Sequence, residues 1–168
     1  MVLTKEELIG SLQNEVRILL HLAGKIDRSR LDYRPTAKQR STLELLRYLS
    51  IMGPGLVKSA KAGAFDMEGW GAASKAAEAR DFDQTLAVIA THSDTYAKEL
   101  GDLTDADFRR EIEMFGQKTT VGKFIVNLAL AGCAAYRTQL FLYLKSCGRE
   151  ELGTMNLWGG VDAPAQTA

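Results

Sequence analysis

Apolar residues recur at steps of three and four through most of the chain, the spacing that lines them along one face of an α-helix. Leu8, Leu12, Val16, Leu19, Ala23 and Ile26 form the first such stripe. Thr4 and Glu7 stand just before it as a T-x-x-E capping box, so a helix is expected over residues 4–27. The polar stretch from Asp27 to Arg40, which contains Pro35, reads as a loop. Ser41 and Glu44 repeat the capping box and open a second helix over 41–62, whose apolar face begins with Leu45, Leu46, Leu49 and Met52. Gly53-Pro54-Gly55 is expected to kink or break that helix, because proline lacks a backbone donor and its ring crowds the preceding turn.

The segment from Gly63 to Arg80 is rich in Gly and Ala, and the expectation there is a loop with at most one short helix. A third long helix is predicted over 82–101, with Leu86, Ile89, Ser93, Tyr96 and Leu100 on its inward face. Thr104 should cap a short turn, and Glu111 to Lys118 reads as an extended crossover. Thr120 should cap a fourth helix over 120–147 that stops at Gly148, a natural left-handed C-terminal cap. From about residue 149 the tail, with Trp158, Gly159-Gly160 and Pro164, should be irregular. The pattern predicts an all-α chain: a four-helix bundle with one long crossover and an irregular C-terminal tail, forming a single domain over residues 1–168.

Composition narrows the function. Lys+Arg and Asp+Glu both number 21, so no basic excess exists to neutralise a phosphate backbone, which argues against nucleic acid. The longest apolar stretch, Phe124 to Ala135, is shorter than the about 20 residues a membrane span needs. Lys5, Glu6 and Glu7 stand where a signal peptide would carry a basic patch and an apolar core, so a cytoplasmic location without membrane attachment is expected. Cys133 and Cys147 share one predicted helix and lie roughly 21 Å apart along it. They cannot bond to each other there and read as reduced, structural thiols.

Two short motifs carry a family resemblance. Ser41-Thr42-Leu43-Glu44-Leu45-Leu46-Arg47-Tyr48-Leu49 resembles the capped second-helix signature of the DinB/YfiT-like bundles. Tyr136-Arg137-Thr138-Gln139-Leu140, ending in Tyr143-Leu144-Lys145-Ser146-Cys147-Gly148, is similar to their last-helix pattern. The likeness spans residues 4 to 148. It implies a bundle that holds a divalent metal on three histidines, one from the second helix and two spaced i, i+4 on the last. It also implies metal-dependent thiol S-transferase or hydrolase activity and pairing into homodimers. Carried onto this chain, the ligand positions are Tyr48, Gly132 and Tyr136, and none is a histidine.

Glycine offers no donor, and neutral tyrosine is a poor ligand for zinc or nickel. The resulting expectation is a metal-free, noncatalytic protein without a cofactor that binds a small ligand or a protein partner. An altered thiol transferase or hydrolase is the alternative. Gly132 is expected on an inward line with Leu128 and Ala135, leaving either a pocket or a plug of tyrosine rings. His92, Gln139 and Tyr143 are the expected neighbours of that space. His92 should be partly buried and hydrogen-bonded and His21 exposed. Arg137 should pair with an acid on another helix, and Trp158 with the Gly-Gly after it either covers one end of the bundle or packs as ordinary tail.

Overall fold

Four of the expected caps form as the sequence writes them. The computed structural model describes residues 3–164, so the first two and last four residues of the expected domain lie outside the described residues. Helix α1 (Lys5–Ala23) begins on the reciprocal bonds of Thr4 and Glu7, and α2 (Thr42–Ala62) on those of Ser41 and Glu44. Thr104 caps the short α6 (Asp105–Arg109). Thr120 opens the long last helix, α7 (Val121–Ser146), which ends where Gly148 turns to a φ of 92°. Helices α1, α2 and α7, with the pair α4 (Phe82–Ala90) and α5 (His92–Leu100), pack around one apolar core. The fold is an all-α bundle.

Where the expected break falls at Gly53-Pro54-Gly55, α2 runs on unbroken to Ala62 and ends only at Gly63, whose φ is 79°. In an α-helix the nitrogen at position 54 would donate to the carbonyl of Ser50. Pro54 has no proton to give, and His92 Nε2 from α5 lies 3.1 Å from that carbonyl instead. A carbonyl only accepts, so Nε2 carries the proton. Both Ser50 and His92 are 4% exposed. The bond that proline removes is thus replaced from a neighbouring helix.

The Gly/Ala-rich segment forms a twelve-residue helix, α3 (Met67–Glu78), capped by Asp66 and laid against α2. This corrects the expected loop: alanine is the best helix former, and the four alanines of the helix outweigh its two glycines. The expected third helix divides at Thr91, and its buried line runs Phe82, Thr85, Ile89, His92, Tyr96 and Leu100, so Thr85 and His92 replace Leu86 and Ser93. The expected crossover folds back as a hairpin, β1 (Glu111–Met114) against β2 (Gln117–Thr120). Its two-residue turn holds Phe115 at φ 53° and Gly116 at φ 74°, the left-handed pair that a tight hairpin requires.

The last helix carries the largest correction. Residues Ile125–Leu130 form a π-helical segment within α7, which adds a residue to the turn. Each extra residue rotates everything after it by about 100°. The inward line therefore becomes Ile125, Ala129, Arg137, Leu140 and Leu144, while Leu128 and Ala135 face outward. By length and composition α7 is able to cross a membrane, longer than the apolar stretch suggests, with a peak mean hydropathy of 1.2. In the bundle it packs on α1 and α2, and its Arg137 is 3% exposed.

Arg137 pairs with Glu15 of α1 through Nε at 2.7 Å and Nη2 at 3.1 Å, the interhelical acid that the sequence reading expected. Its third nitrogen donates to the carbonyl of Leu157 in the tail. The tail is held in the same way by Arg17, which donates to the carbonyls of Gly159 and Gly160, and by Lys145, which donates to those of Glu150 and Leu152. It closes with a π-helical turn, Met155–Gly159, in which Trp158 stays 69% exposed beside Arg137 rather than covering an end of the bundle.

Candidate functional site

Tyr48 projects from the second turn of α2 and Tyr136 from α7, and their rings meet edge to face with centroids 5.0 Å apart. The two helices thus bring together the two tyrosines placed at ligand positions. Gly132 stands one turn before Tyr136. A Cβ built there would lie 3.4 Å from Sδ and Cε of Met52, so the methionine side chain fills the room that the missing side chain leaves. Neither expected version is found in full: the plug consists of a tyrosine pair and Met52.

Other rings extend the cluster. Trp70 of α3 stands 6.3 Å from Tyr48, and the guanidinium of Arg40 lies 4.0 Å above the Tyr48 ring. The backbone carbonyl of Arg40 accepts the hydroxyl of Tyr143 at 2.9 Å, and that hydroxyl accepts Gln139 Nε2 at 2.5 Å. Gln139 and Tyr143 therefore border the tyrosine pair through Arg40. His92 does not join this group; its ring sits behind α2, edge-on to Tyr96 at 6.0 Å.

The electrostatics keep these groups neutral. Burial, reinforced by the neighbouring Tyr136 hydroxyl, pushes the Tyr48 phenol up to about 12. Burial holds His92 down at about 4 and lifts the Cys133 thiol to about 11. Tyr96 is pushed upward by burial as well, with the Cys133 thiol beside it, and among the described residues no other group partners its hydroxyl. His21 is more enclosed than expected, its side chain 17% exposed and its Nε2 3.1 Å from Asn156 Nδ2. Both cysteines are free thiols.

A divalent metal fits this site poorly. Tyr48 and Tyr136 offer only phenolic oxygens, the first with its proton firmly held, and Gly132 offers none. Among the described residues no group of three or more His, Cys, Asp or Glu side chains gathers elsewhere to hold an ion.

Two open clefts flank α3. One, about 390 Å³, runs from Arg40, Arg47 and Tyr48 on α2 and its entry to Ser74 and Glu78 on α3. The other, about 450 Å³, lies on the far side of Ile51 and includes Pro54, Trp70 and Arg80. Sequence reasoning missed both walls, because it read α3 as a loop and nothing in single-residue spacing marks Arg40, Arg47 or Arg80.

The bundle as a whole, with the tyrosine pair between α2 and α7, has a counterpart among solved structures. A solved DinB-like protein from Bacillus subtilis, YjoA, superposes on it with a TM-score of 0.68 over 87% of this chain and 94% of that one, at 20% sequence identity. The chain adopts that fold. No family model and no curated protein matches the sequence.

Proposed function

We propose that this chain is a metal-free, noncatalytic DinB-like protein of the cytoplasm that binds a small ligand and pairs with a second copy of itself. The observation that carries the reading is the contact of Tyr48 with Tyr136 over a Gly132 backed by Met52: three ligand positions turned into packing. A metal-dependent transferase or hydrolase needs an ion that lowers the pKa of a bound thiol or water, and the side chains here would not hold it. The two clefts that flank α3, one of them lined by Tyr48, fall within the usual size of small-molecule sites. The outward face of α7 supports self-association. Leu128 is 39% and Leu142 56% exposed, with Ala131, Ala135 and Thr138 between them and no charge on that line.

Elemental analysis of untagged protein, stripped with chelator and then offered zinc or nickel, tests the metal. The expected result is far less than one ion per chain, and one tightly held ion per chain would overturn the reading. Light scattering at micromolar concentration should report a dimer, and a monomer would remove the pairing.

A further inference from the structure

We propose that the groove between α2 and α3 is the binding site for a flat, monoanionic small molecule, its ring against Trp70 and Pro54 and its carboxylate on Arg80 and Lys58. The inference rests on the small-ligand reading above and names its chemistry and place. The groove has a volume of about 450 Å³. Its walls are made by the Gly-Pro-Gly of α2 and the Gly/Ala-rich helix α3. A Cβ on Gly55 would meet the Trp70 ring at 3.0 Å, so glycine lets the indole lie close to the α2 backbone. Ala73 on the α3 wall adds little bulk and keeps the space open.

Cations outnumber acids on the groove, Arg80 and Lys58 against Asp66. Arg80 is half-buried, and among the described residues its guanidinium donates to the Ser50 hydroxyl alone, at 3.0 Å. Arg47 lies against it, donating through Nε to the Arg80 carbonyl at 2.8 Å. Among the described residues no carboxylate stands within ion-pairing distance of Arg80, Arg47 or Lys58. The acid on the groove, Asp66, accepts the Gly69 N–H at 2.8 Å as the cap of α3. A partly desolvated guanidinium fork without an acid is an arrangement that a carboxylate completes with two parallel hydrogen bonds. Trp70 and Pro54 supply the flat apolar surface beside it, on which a ring stacks.

The test uses 2-naphthoate and its neutral counterpart 2-naphthalenemethanol, followed by the indole N–H resonance of Trp70 in the full chain. Trp158→Phe assigns that resonance. The naphthoate should shift it saturably, and the alcohol should bind about tenfold more weakly or less, the factor that one charge-assisted bond of about 1.4 kcal/mol supplies. Arg80→Met should lower naphthoate affinity about tenfold or more and leave the alcohol unchanged. Lys58→Gln, an exposed change that spares the fold, should lower it about threefold, and Ala73→Leu should block both probes by filling the groove. Equal affinity for acid and alcohol, or naphthoate binding untouched in both charge variants, would overturn the proposal. Absence of any saturable shift overturns the groove while leaving the metal-free reading intact. That reading falls instead on the metal content of the same samples.

Discussion

Replacing His92 by phenylalanine isolates the contact that lets α2 continue through Pro54. The ring volume is nearly kept, so little cavity forms, but the Ser50 carbonyl loses its donor inside the bundle. Leaving a buried acceptor unpaired costs about 1–3 kcal/mol. For a chain of this size that lowers the melting temperature by roughly 2–4 °C for each kcal/mol. Pro54→Ala restores a backbone N–H four residues after Ser50. In the native background that proton reaches a carbonyl already served by His92. In the His92→Phe background it supplies the missing donor.

The relief of proline's steric conflict is common to both backgrounds and cancels in a double-mutant cycle. Pro54→Ala should therefore stabilise the His92→Phe protein by about 1–2 kcal/mol more than it stabilises the native one. Urea titrations of the four proteins by circular dichroism measure this, provided the m-values agree. Equal effects of Pro54→Ala in both backgrounds, within about 0.5 kcal/mol, would refute the exchange of donors.

The pH dependence of stability should carry the mark of His92. Its folded value near 4 lies below the ordinary 6.5, so its contribution is fully present above about pH 6.5 and is lost as pH falls toward 4. Urea midpoints across that window should fall less steeply in His92→Phe than in the native protein. At Gly132, leucine should collide with Met52 and cost about 1–3 kcal/mol, whereas alanine should be neutral or slightly stabilising because it favours the helix. Thermal melts of both variants distinguish the filled site from an empty one, which would welcome leucine. Breaking the buried Arg137–Glu15 pair with Arg137→Ala should cost about 3–5 kcal/mol, read from the urea midpoint. It should also loosen the tail at Leu157, seen as faster amide exchange there.

Local signals were well written in the sequence and phase was not. The capping boxes at Thr4 and Ser41 need only residues three apart, and both fixed their helix starts correctly. Pro54 was misread because its replacement donor, His92, is 38 positions away in the chain, beyond any local pattern. The inward line of α7 was misplaced because a π segment leaves no mark in apolar spacing until tertiary packing chooses it. That choice buries Ala129 and Arg137 and turns out Leu128 and Ala135. At the candidate site, the meeting of Tyr48 with Tyr136 was legible only through the motif resemblance, which puts both at one site. The role of Met52 as filler was not, since it depends on one flexible side chain reaching across from α2.

The grip on the C-terminal tail has a consequence for how freely this protein can change over time. Arg17, Arg137 and Lys145 together hold the carbonyls of five tail residues, and a carbonyl is the same whatever side chain its residue bears. Selection on the tail then falls on the three cations, on the buried Leu152 and Asn156, and on Gly160, whose φ of 58° and closeness to Ile18 leave no room for a side chain. Around these fixed points, exposed tail positions such as Met155 and Trp158 are free to drift, and a new surface can arise there without undocking the segment from the bundle.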